Sequence, residues 1–448
     1  MLLRLKILVA RIGATIRAMH PAKLALLGYL SYILAGWLVL SLPFAQTGGG
    51  VRAIDNLFTS TSAVSTTGLV TVSASDRYTF FGQLVVLALI QFGGIGYMTF
   101  GSFVILSRKR ELPAVRSEVG KMVFSLPASF RIDKFIRSVM AFTLIIETLG
   151  AAALYALFRQ AGVADAAWSA IFHSVSAFCT AGFSLYNDSM ERFAGNVGVN
   201  AVVAVLSFLG AIGFIVCVDF WRMARGKVQH LTLTSKIILW TTFWLTVAGT
   251  ALLFLGEPSI QSKPVDERLL AAFFQAMTSM TTVGFNTIGV AHLARASLLL
   301  VIVLMIIGAS PAGTGGGLKS TTFTAILGVM RSALRGEHEV RFWGRLVPLE
   351  RVWTAVASLG FYLTALGVGT YLLELTEAST FDENFFEAAS ALGTVGLSMG
   401  ITPALSALGK LIVIALMFCG RLGPLTFGIA LFFRKGLKGG QQDADLAV

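Results

Sequence analysis

The sequence predicts an all-α polytopic membrane protein. Hydrophobic residues make up 55% of its 448 positions, charged residues only 13%, and the mean hydropathy is +0.77. Soluble domains are about a quarter charged, so this composition is typical of an integral membrane protein. Apolar runs of about twenty residues, the length that crosses the hydrocarbon core as a helix, recur along the chain. The alternating ten-residue segments of a transmembrane β-barrel do not appear.

The net charge of +12 follows the predicted loops. Eight Lys or Arg residues lie between Arg108 and Arg137, and further basic residues precede the first apolar span. The alternate loops carry mostly acids, among them Asp55, Asp165 and Asp266. This positive-inside pattern predicts that both termini are cytoplasmic. The basic excess is therefore a topology signal, and we expect no nucleic-acid partner.

Four segments of the chain align without gaps. They are FTSTSAVSTTG (58–68), FHSVSAFCTAG (172–182), FQAMTSMTTVG (274–284) and FEAASALGTVG (386–396). Each begins with Phe and ends with Gly, with Thr two places before that Gly and Ser or Thr six places before it. The same pattern at intervals of roughly a hundred residues indicates an internal fourfold repeat.

Each aligned segment lies between two apolar spans. The spans before it are near 24–46, 138–159, 235–256 and 350–373, and those after it near 80–106, 196–220, 294–330 and 407–433. The segment itself is too short to cross the bilayer. We therefore predict four repeats of helix, re-entrant pore helix, loop and helix around one pore, with eight transmembrane helices. The predicted units are a cytoplasmic amphipathic N-terminus at 1–23, repeat 1 at 24–106, a cytoplasmic loop at 107–137, repeat 2 at 138–220, repeat 3 at 235–330 with an intramembrane loop at 308–322, repeat 4 at 350–433 and a cytoplasmic tail at 434–448.

The four loops suit a cation. Non-helical backbone at membrane depth must be buried in protein or line water. Glycine lets successive carbonyls turn toward an axis, where rings of carbonyl oxygens replace an ion's hydration shell. The alternative, that the glycines only allow close helix packing, does not explain the shared Phe, hydroxyl and Thr positions. The predicted ion-binding residues are Thr66, Thr67, Gly68 and Leu69; Thr180, Ala181, Gly182 and Phe183; Thr282, Val283, Gly284 and Phe285; and Thr394, Val395, Gly396 and Leu397.

A glycine-rich stretch, GASPAGTGGGLKSTT (308–322), interrupts the last span of repeat 3. It misses the phosphate-loop pattern by one residue, because Leu318 stands where the second glycine is required. We interpret it as a helix break that crosses the conduction path. Lys319 either repels cations there or extends to the cytoplasmic interface.

Arg421 lies near the middle of the last apolar span. A guanidinium at this depth is costly without a partner, so such residues usually mark a pathway or an ion pair. We favour a contact with the 308–320 stretch over an ion pair with Glu147, which is also mid-span. His173 and Glu387, each one residue after a repeat's Phe, are interpreted as pore-helix packing.

These motifs resemble the Trk/Ktr/HKT superfamily of cation transporters, and most closely the membrane subunit of bacterial Ktr potassium uptake systems. The resemblance rests on the four loops, on QFGGIGYMTFG (91–101), on the glycine-rich stretch and on MFCGRLGPLTF (417–427). It implies potassium selectivity from the glycine in every loop, and it implies that the glycine-rich stretch is an intramembrane gating loop. The gating residues are then predicted to be Gly313, Thr314, Gly315, Gly316, Gly317, Lys319 and Arg421. It also implies a homodimer on a cytosolic ring of nucleotide-binding regulatory subunits. Leu69 and Leu397, where the other loops have Phe183 and Phe285, depart from simple fourfold symmetry.

The predicted function is therefore potassium uptake across a bacterial inner membrane, within membrane lipid and with no cofactor. A sodium-preferring or sodium-coupled transporter of the same fold is the alternative. A membrane-embedded enzyme is a remote one, because the deep ionisable residues recognised in the sequence, Glu147, Lys319 and Arg421, form no catalytic set.

Overall fold

The computed structural model describes residues 19–96, 132–226, 228–337 and 339–432, together with Ser117. The predicted N-terminal segment, the cytoplasmic loop at 107–137 and the tail at 434–448 lie wholly or mostly outside these residues. Within the described residues the regular structure is almost entirely helical. Its α-helices are α1 Pro21–Leu40, α2 Ala53–Ser65, α3 Ala74–Arg77, α4 Phe80–Gly94, α5 Ile132–Gln160, α6 Ala166–Phe178, α7 Val197–Ala211, α8 Phe214–Ala224, α9 Leu233–Gly256, α10 Val265–Thr281, α11 Arg295–Ile306, α12 Ser320–Leu334, α13 Leu349–Thr376, α14 Phe381–Gly393, α15 Ala407–Leu422 and α16 Pro424–Phe432.

The remaining regular structure in the described ranges is short. Strands β1 (Arg341–Phe342) and β2 (Arg345–Leu346) pair antiparallel in one hairpin. Single 3-10 turns occur at Pro43–Ala45, Glu191–Phe193, Pro258–Ile260, Val290–His292 and Thr402–Ala404.

Four helices of the described residues are long and apolar enough to cross a membrane: α1, most of α5 (Ile136–Gln160), α9 and α13. They lie where the sequence predicts the leading spans. Two further bent pairs, α7 with α8 and α15 with α16, would bring the number to six if each is one span. The eight-span arrangement stays a prediction.

A short helix follows each long one. These four, α2, α6, α10 and α14, hold the aligned segments, and each packs between the long helix before it and the helix after it. The following helix also contacts the short helix of the next unit: α4 contacts α6, α7 contacts α10, and α11 contacts α14. The last, α15, packs against α2, so the contacts close into a ring.

Two of the spans that follow the short helices are bent. Within the predicted spans near 196–220 and 407–433, α7 and α8 meet at 94° and α15 and α16 at 101°. The sequence predicts these spans but not their bends. Gly213 (φ 86°) and Gly423 (φ 83°) adopt left-handed backbone that ends a helix, and Pro424 has no N–H to continue it.

The first break has a partner in the fold. The backbone N–H of Phe214, the residue after Gly213, donates to the Ala312 carbonyl at 3.0 Å. A Cβ on Gly213 would overlap the Pro311 carbonyl oxygen. The bend between α7 and α8 therefore makes room for the glycine-rich stretch, which separates α11 from α12 as the sequence predicts.

Candidate functional site: four glycine loops and the stretch beneath them

The four short helices end in the same backbone geometry. A Thr at each helix end is left-handed, with φ of 52° at Thr66, 49° at Thr180, 59° at Thr282 and 49° at Thr394. It is the first residue after the helix in α2, α10 and α14 and the second in α6. The glycine two residues later also has positive φ, between 64° and 93°. Left-handed backbone is costly for a β-branched residue, and such strain persists where the surroundings enforce it, often at functional sites.

The residue between each Thr and Gly turns its N–H back to its own helix. It donates to the carbonyl five residues earlier, at 2.8 to 3.2 Å in all four loops. The backbone donors are thus used within each unit. The carbonyl oxygens of the same residues face the neighbouring loop instead.

The four loops meet in a closed ring. A Cβ added to any one of the four glycines would overlap a backbone carbonyl of the next loop. The overlaps are Gly68 with Ala181, Gly182 with Val283, Gly284 with Val395 and Gly396 with Thr67. The fourth closes on the first, so the ring requires glycine at all four positions.

The hydroxyl six residues before each glycine holds its loop in one of two ways. The Ser62 and Ser390 hydroxyls accept the N–H of Gly68 (3.0 Å) and Gly396 (3.1 Å). The other two donate instead: Ser176 to the Phe183 carbonyl at 2.8 Å, and Thr278 to the Phe285 carbonyl at 2.6 Å. The same two pairs of loops differ in sequence, because the first and fourth loops carry Leu after the glycine and the other two carry Phe.

The glycine-rich stretch lies against the threonines that begin the loops. The Thr314 carbonyl accepts from the Thr66 hydroxyl at 3.3 Å, and the hydroxyls of Thr314 and Thr180 are 3.0 Å apart. Cβ atoms on the next two residues, Gly315 and Gly316, would overlap the hydroxyls of Thr282 and Thr394, respectively. Three consecutive residues therefore reach all four loops, from the side of the short helices' C-terminal ends.

Arg421 links three parts of this site. One Nη donates to the Thr66 hydroxyl at 2.9 Å and also to the Thr314 carbonyl. The other donates to the backbone carbonyls of Gly93 and Gly94, the last residues of α4. The hypothesised contact with the glycine-rich stretch is present. Both Nη atoms of the guanidinium donate to carbonyls or a hydroxyl, whereas its buried Nε has no hydrogen-bond partner among the described residues.

The two other deep ionisable candidates have partners of their own. Glu147 accepts from the Gln91 amide at 3.0 Å, and among the described residues it makes no ion pair with Arg421. Lys319 donates to the Gly315 carbonyl at 2.7 Å. It therefore folds back onto the glycine-rich stretch, which argues against the alternative in which it extends away to a membrane interface.

The sequence reading missed a buried ion pair at the outer end of the site. Lys410 Nζ lies 2.6 Å from Asp55 Oδ1, and the two side chains are 2% and 3% exposed. Asp55 also accepts from Arg52 at 2.9 Å. Lys410 belongs to α15 and Asp55 to the first turn of α2, so the pair joins the last unit to the first. A lysine inside a predicted span was the available signal, because such a charge needs a partner.

Replacing Lys410 should destabilise the protein strongly. Lys410→Met leaves a buried carboxylate with one exposed partner, and breaking a buried pair costs about 3–5 kcal/mol. We expect a large fall in the free energy of unfolding. Unfolding is measured in detergent by the change in tryptophan fluorescence. Arg295→Met is the control, since its pair with Asp382 is exposed and worth under ~1 kcal/mol. Equal losses in both variants would contradict the prediction.

The fold and the site together define a helical membrane protein in which four short helices converge on one ring of glycines. A profile of TrkH, described as a cation transport protein, matches residues 37–441. Among curated proteins, the chain is 34% identical over 412 residues to Ktr system potassium uptake protein B of Bacillus subtilis, covering 91% of this chain and 92% of the relative. It is also 34% identical over 429 residues to potassium/sodium uptake protein NtpJ of Enterococcus hirae, covering 93% and 94%.

The fold matches the crystal structure of the potassium transporter TrkH from Vibrio parahaemolyticus with a TM-score of 0.70 at 21% identity, over 90% of this chain and 84% of that one. The chain belongs to the TrkH family of cation transport proteins. The predicted resemblance is confirmed, and the family is one of ion transporters, not of enzymes.

Proposed function

We propose that this protein takes up potassium ions across the bacterial inner membrane, through the ring of four glycine loops. The observation that carries the proposal is the closure of that ring, in which each glycine lies against a carbonyl of the next loop. Rings of backbone carbonyls replace the hydration shell of a potassium ion. The relatives named as potassium uptake proteins support the same ion.

The proposed selectivity filter comprises the residues 66–69, 180–183, 282–285 and 394–397. In each loop the residue before the glycine supplies the carbonyl that lies in the ring. The four short helices direct their C-terminal, partially negative ends toward the same place, which favours a cation. The ion is the cargo of the protein, and the proposal includes no resident cofactor.

The proposed gate is the glycine-rich stretch. Its contacts with all four loop threonines support a closed state in which Thr314, Gly315 and Gly316 block the path beneath the filter. Lys319 holds the Gly315 carbonyl within the stretch, and Arg421 ties Thr314 to α4 and to the first loop. Opening the path requires these contacts to break.

We further propose that regulation comes from a cytosolic ring of nucleotide-binding subunits beneath a homodimer of this chain in membrane lipid. The support is the family relationship to Ktr systems. The basic residues of the predicted cytoplasmic loops suit acidic faces on such a partner.

A sodium-preferring or sodium-coupled transport mode is the second candidate. One relative is named a potassium/sodium uptake protein, and the two hydroxyl arrangements depart from fourfold symmetry in this filter. Flux measured in sodium-free medium separates the two modes. Uptake that requires sodium would favour coupling over a simple potassium path.

The function is tested by expression in cells that lack potassium transport. The wild-type chain is expressed either alone or together with a Ktr-type regulatory subunit. We expect growth at low potassium and measurable potassium uptake. Empty vector and the same chain with Gly284→Val are the controls, since a side chain there would overlap the Val395 carbonyl. No uptake under either condition, from protein that is present in the membrane, would overturn the proposal.

A further inference from the structure

Glu387 makes an unexpected contact with the outer half of the fourth loop. It lies in the middle of α14 and is fully buried. One carboxyl oxygen accepts from the Ser398 hydroxyl at 2.8 Å, and the other accepts from the Thr402 hydroxyl. Among the described residues it forms no ion pair. Its partners are thus two hydroxyls on the chain segment that leaves the filter.

The second loop repeats this contact with different chemistry. His173 lies nine residues before Gly182, as Glu387 lies nine before Gly396. Its Nε2 is 3.0 Å from the hydroxyl of Ser184, which is two residues after the glycine, as Ser398 is. Its Nδ1 lies 2.7 Å from the Ser169 carbonyl, so this nitrogen carries the proton and Nε2 is the acceptor.

The first and third loops do not have this contact. Their residues at the two positions are Thr59 with Val70, and Gln275 with Asn286. Val70 has no side-chain donor, and Gln275 Oε1 has no hydrogen-bond partner among the described residues. The contact therefore joins helix to outgoing loop in the second and fourth units, which lie opposite each other in the ring.

We propose that Glu387 and His173 are positioning residues that hold the outgoing segments of the fourth and second loops, and that this sets the preference for potassium over sodium. The inference rests on the proposed potassium function and deepens it. We adopt the cavity-size account of selectivity, in which a ring of carbonyls accommodates the smaller sodium ion well only by contracting. Two buried braces on opposite sides resist that contraction, because moving either serine inward would break its hydrogen bond to a buried carboxyl oxygen or ring nitrogen.

The test measures the ratio of potassium to sodium uptake in competition, with purified protein in proteoliposomes. Glu387→Ala is expected to lower this ratio by about tenfold, as a loss of roughly 1.4 kcal/mol in discrimination would do. Glu387→Gln should stay within about twofold of wild type, because the amide can still bond both hydroxyls. Glu383→Ala, the same side chain at the outer end of the same helix, is the matched control and should leave the ratio unchanged.

A second pair of variants separates a brace from a general loss of structure. Ser398→Ala should lower the ratio by itself, and adding it to Glu387→Ala should cause little further loss, since both remove one interaction. If the Glu387→Ala protein does not accumulate in the membrane, Ser398→Ala tests the same interaction in its place. His173→Ala should act independently, so its effect should add to that of Glu387→Ala.

Three outcomes would overturn the inference: an unchanged ratio in both Glu387→Ala and Ser398→Ala, equal losses in Glu387→Gln and Glu387→Ala, or full additivity of the two fourth-loop variants. Each would leave the proposed function intact as long as the wild-type protein transports potassium. Failure of the wild-type protein to transport potassium would instead remove the proposed function itself.

Discussion

Gly68→Ser is expected to reduce potassium uptake sharply and to shift the remaining transport toward sodium. Gly68 has φ of 93°, and a Cβ there would overlap the Ala181 carbonyl oxygen of the next loop. The ring can admit a side chain only by moving that carbonyl, which removes one ligand from the proposed ion site. Since the other three loops remain, we expect conduction to persist with poorer discrimination. A fall of roughly tenfold or more in the potassium-to-sodium ratio corresponds to about 1.4 kcal/mol or more.

The matched control for this variant is Gly49→Ser. Gly49 is exposed and has nearly the same backbone conformation, with φ of 91°, but a Cβ there would meet nothing within 4 Å. If strain alone explained the effect, both variants would lose selectivity. We expect only Gly68→Ser to change the ratio, measured by competitive uptake in cells that lack potassium transport. Wild-type selectivity in Gly68→Ser would exclude this ring as the filter.

Much of the site could be predicted because its signals are local. The four left-handed threonines and the glycines after them lie within one eleven-residue pattern, and a repeated pattern predicts a repeated conformation. The break in the third unit was predictable for the same reason, since Gly308, Pro311 and the following glycines disrupt a helix wherever they occur.

The features that were not predicted from the sequence depend on contacts between residues that are distant in the chain. The bend at Gly213 follows from the position of Pro311 and Ala312, about a hundred residues later. The ion pair of Lys410 with Asp55 joins residues 355 apart. A single glycine in an apolar span is compatible with either a straight or a bent helix, and one lysine near the end of a span could pair with several acids. The packing of the four units into a ring determines which of these occurs.

Glu387 and His173 show a further limit of the sequence. They occupy equivalent positions, but an acid and an imidazole share no residue pattern, so they were interpreted as packing. Their common role becomes visible in their partners, Ser398 and Ser184, which occupy equivalent positions after the glycines. The equivalence lies in the contact geometry and not in the residue type.

Arg421→Ala is expected to open the proposed gate. Its guanidinium holds Thr314 of the glycine-rich stretch to Thr66 and to the end of α4. A hydrogen bond to a charged group contributes about 1.5–3 kcal/mol, so removing this link shifts the closed-to-open equilibrium by about tenfold or more. Potassium flux into proteoliposomes that contain this chain alone should therefore rise by about tenfold, if the wild-type chain is mostly closed without its regulator.

The matched control for the gate is Arg331→Ala, because Arg331 is an exposed arginine on α12, beyond the same stretch. It should leave the unregulated flux unchanged. Arg421→Lys should fall between wild type and Arg421→Ala, since an ammonium keeps the charge but cannot span the four acceptors that the guanidinium's fixed fork reaches. Adding the regulatory subunit should then activate wild type strongly and Arg421→Ala little, because the same closed state cannot be released twice. An Arg421→Ala protein with wild-type flux and wild-type activation would show that the stretch is held closed by other contacts, such as that of Lys319 with Gly315.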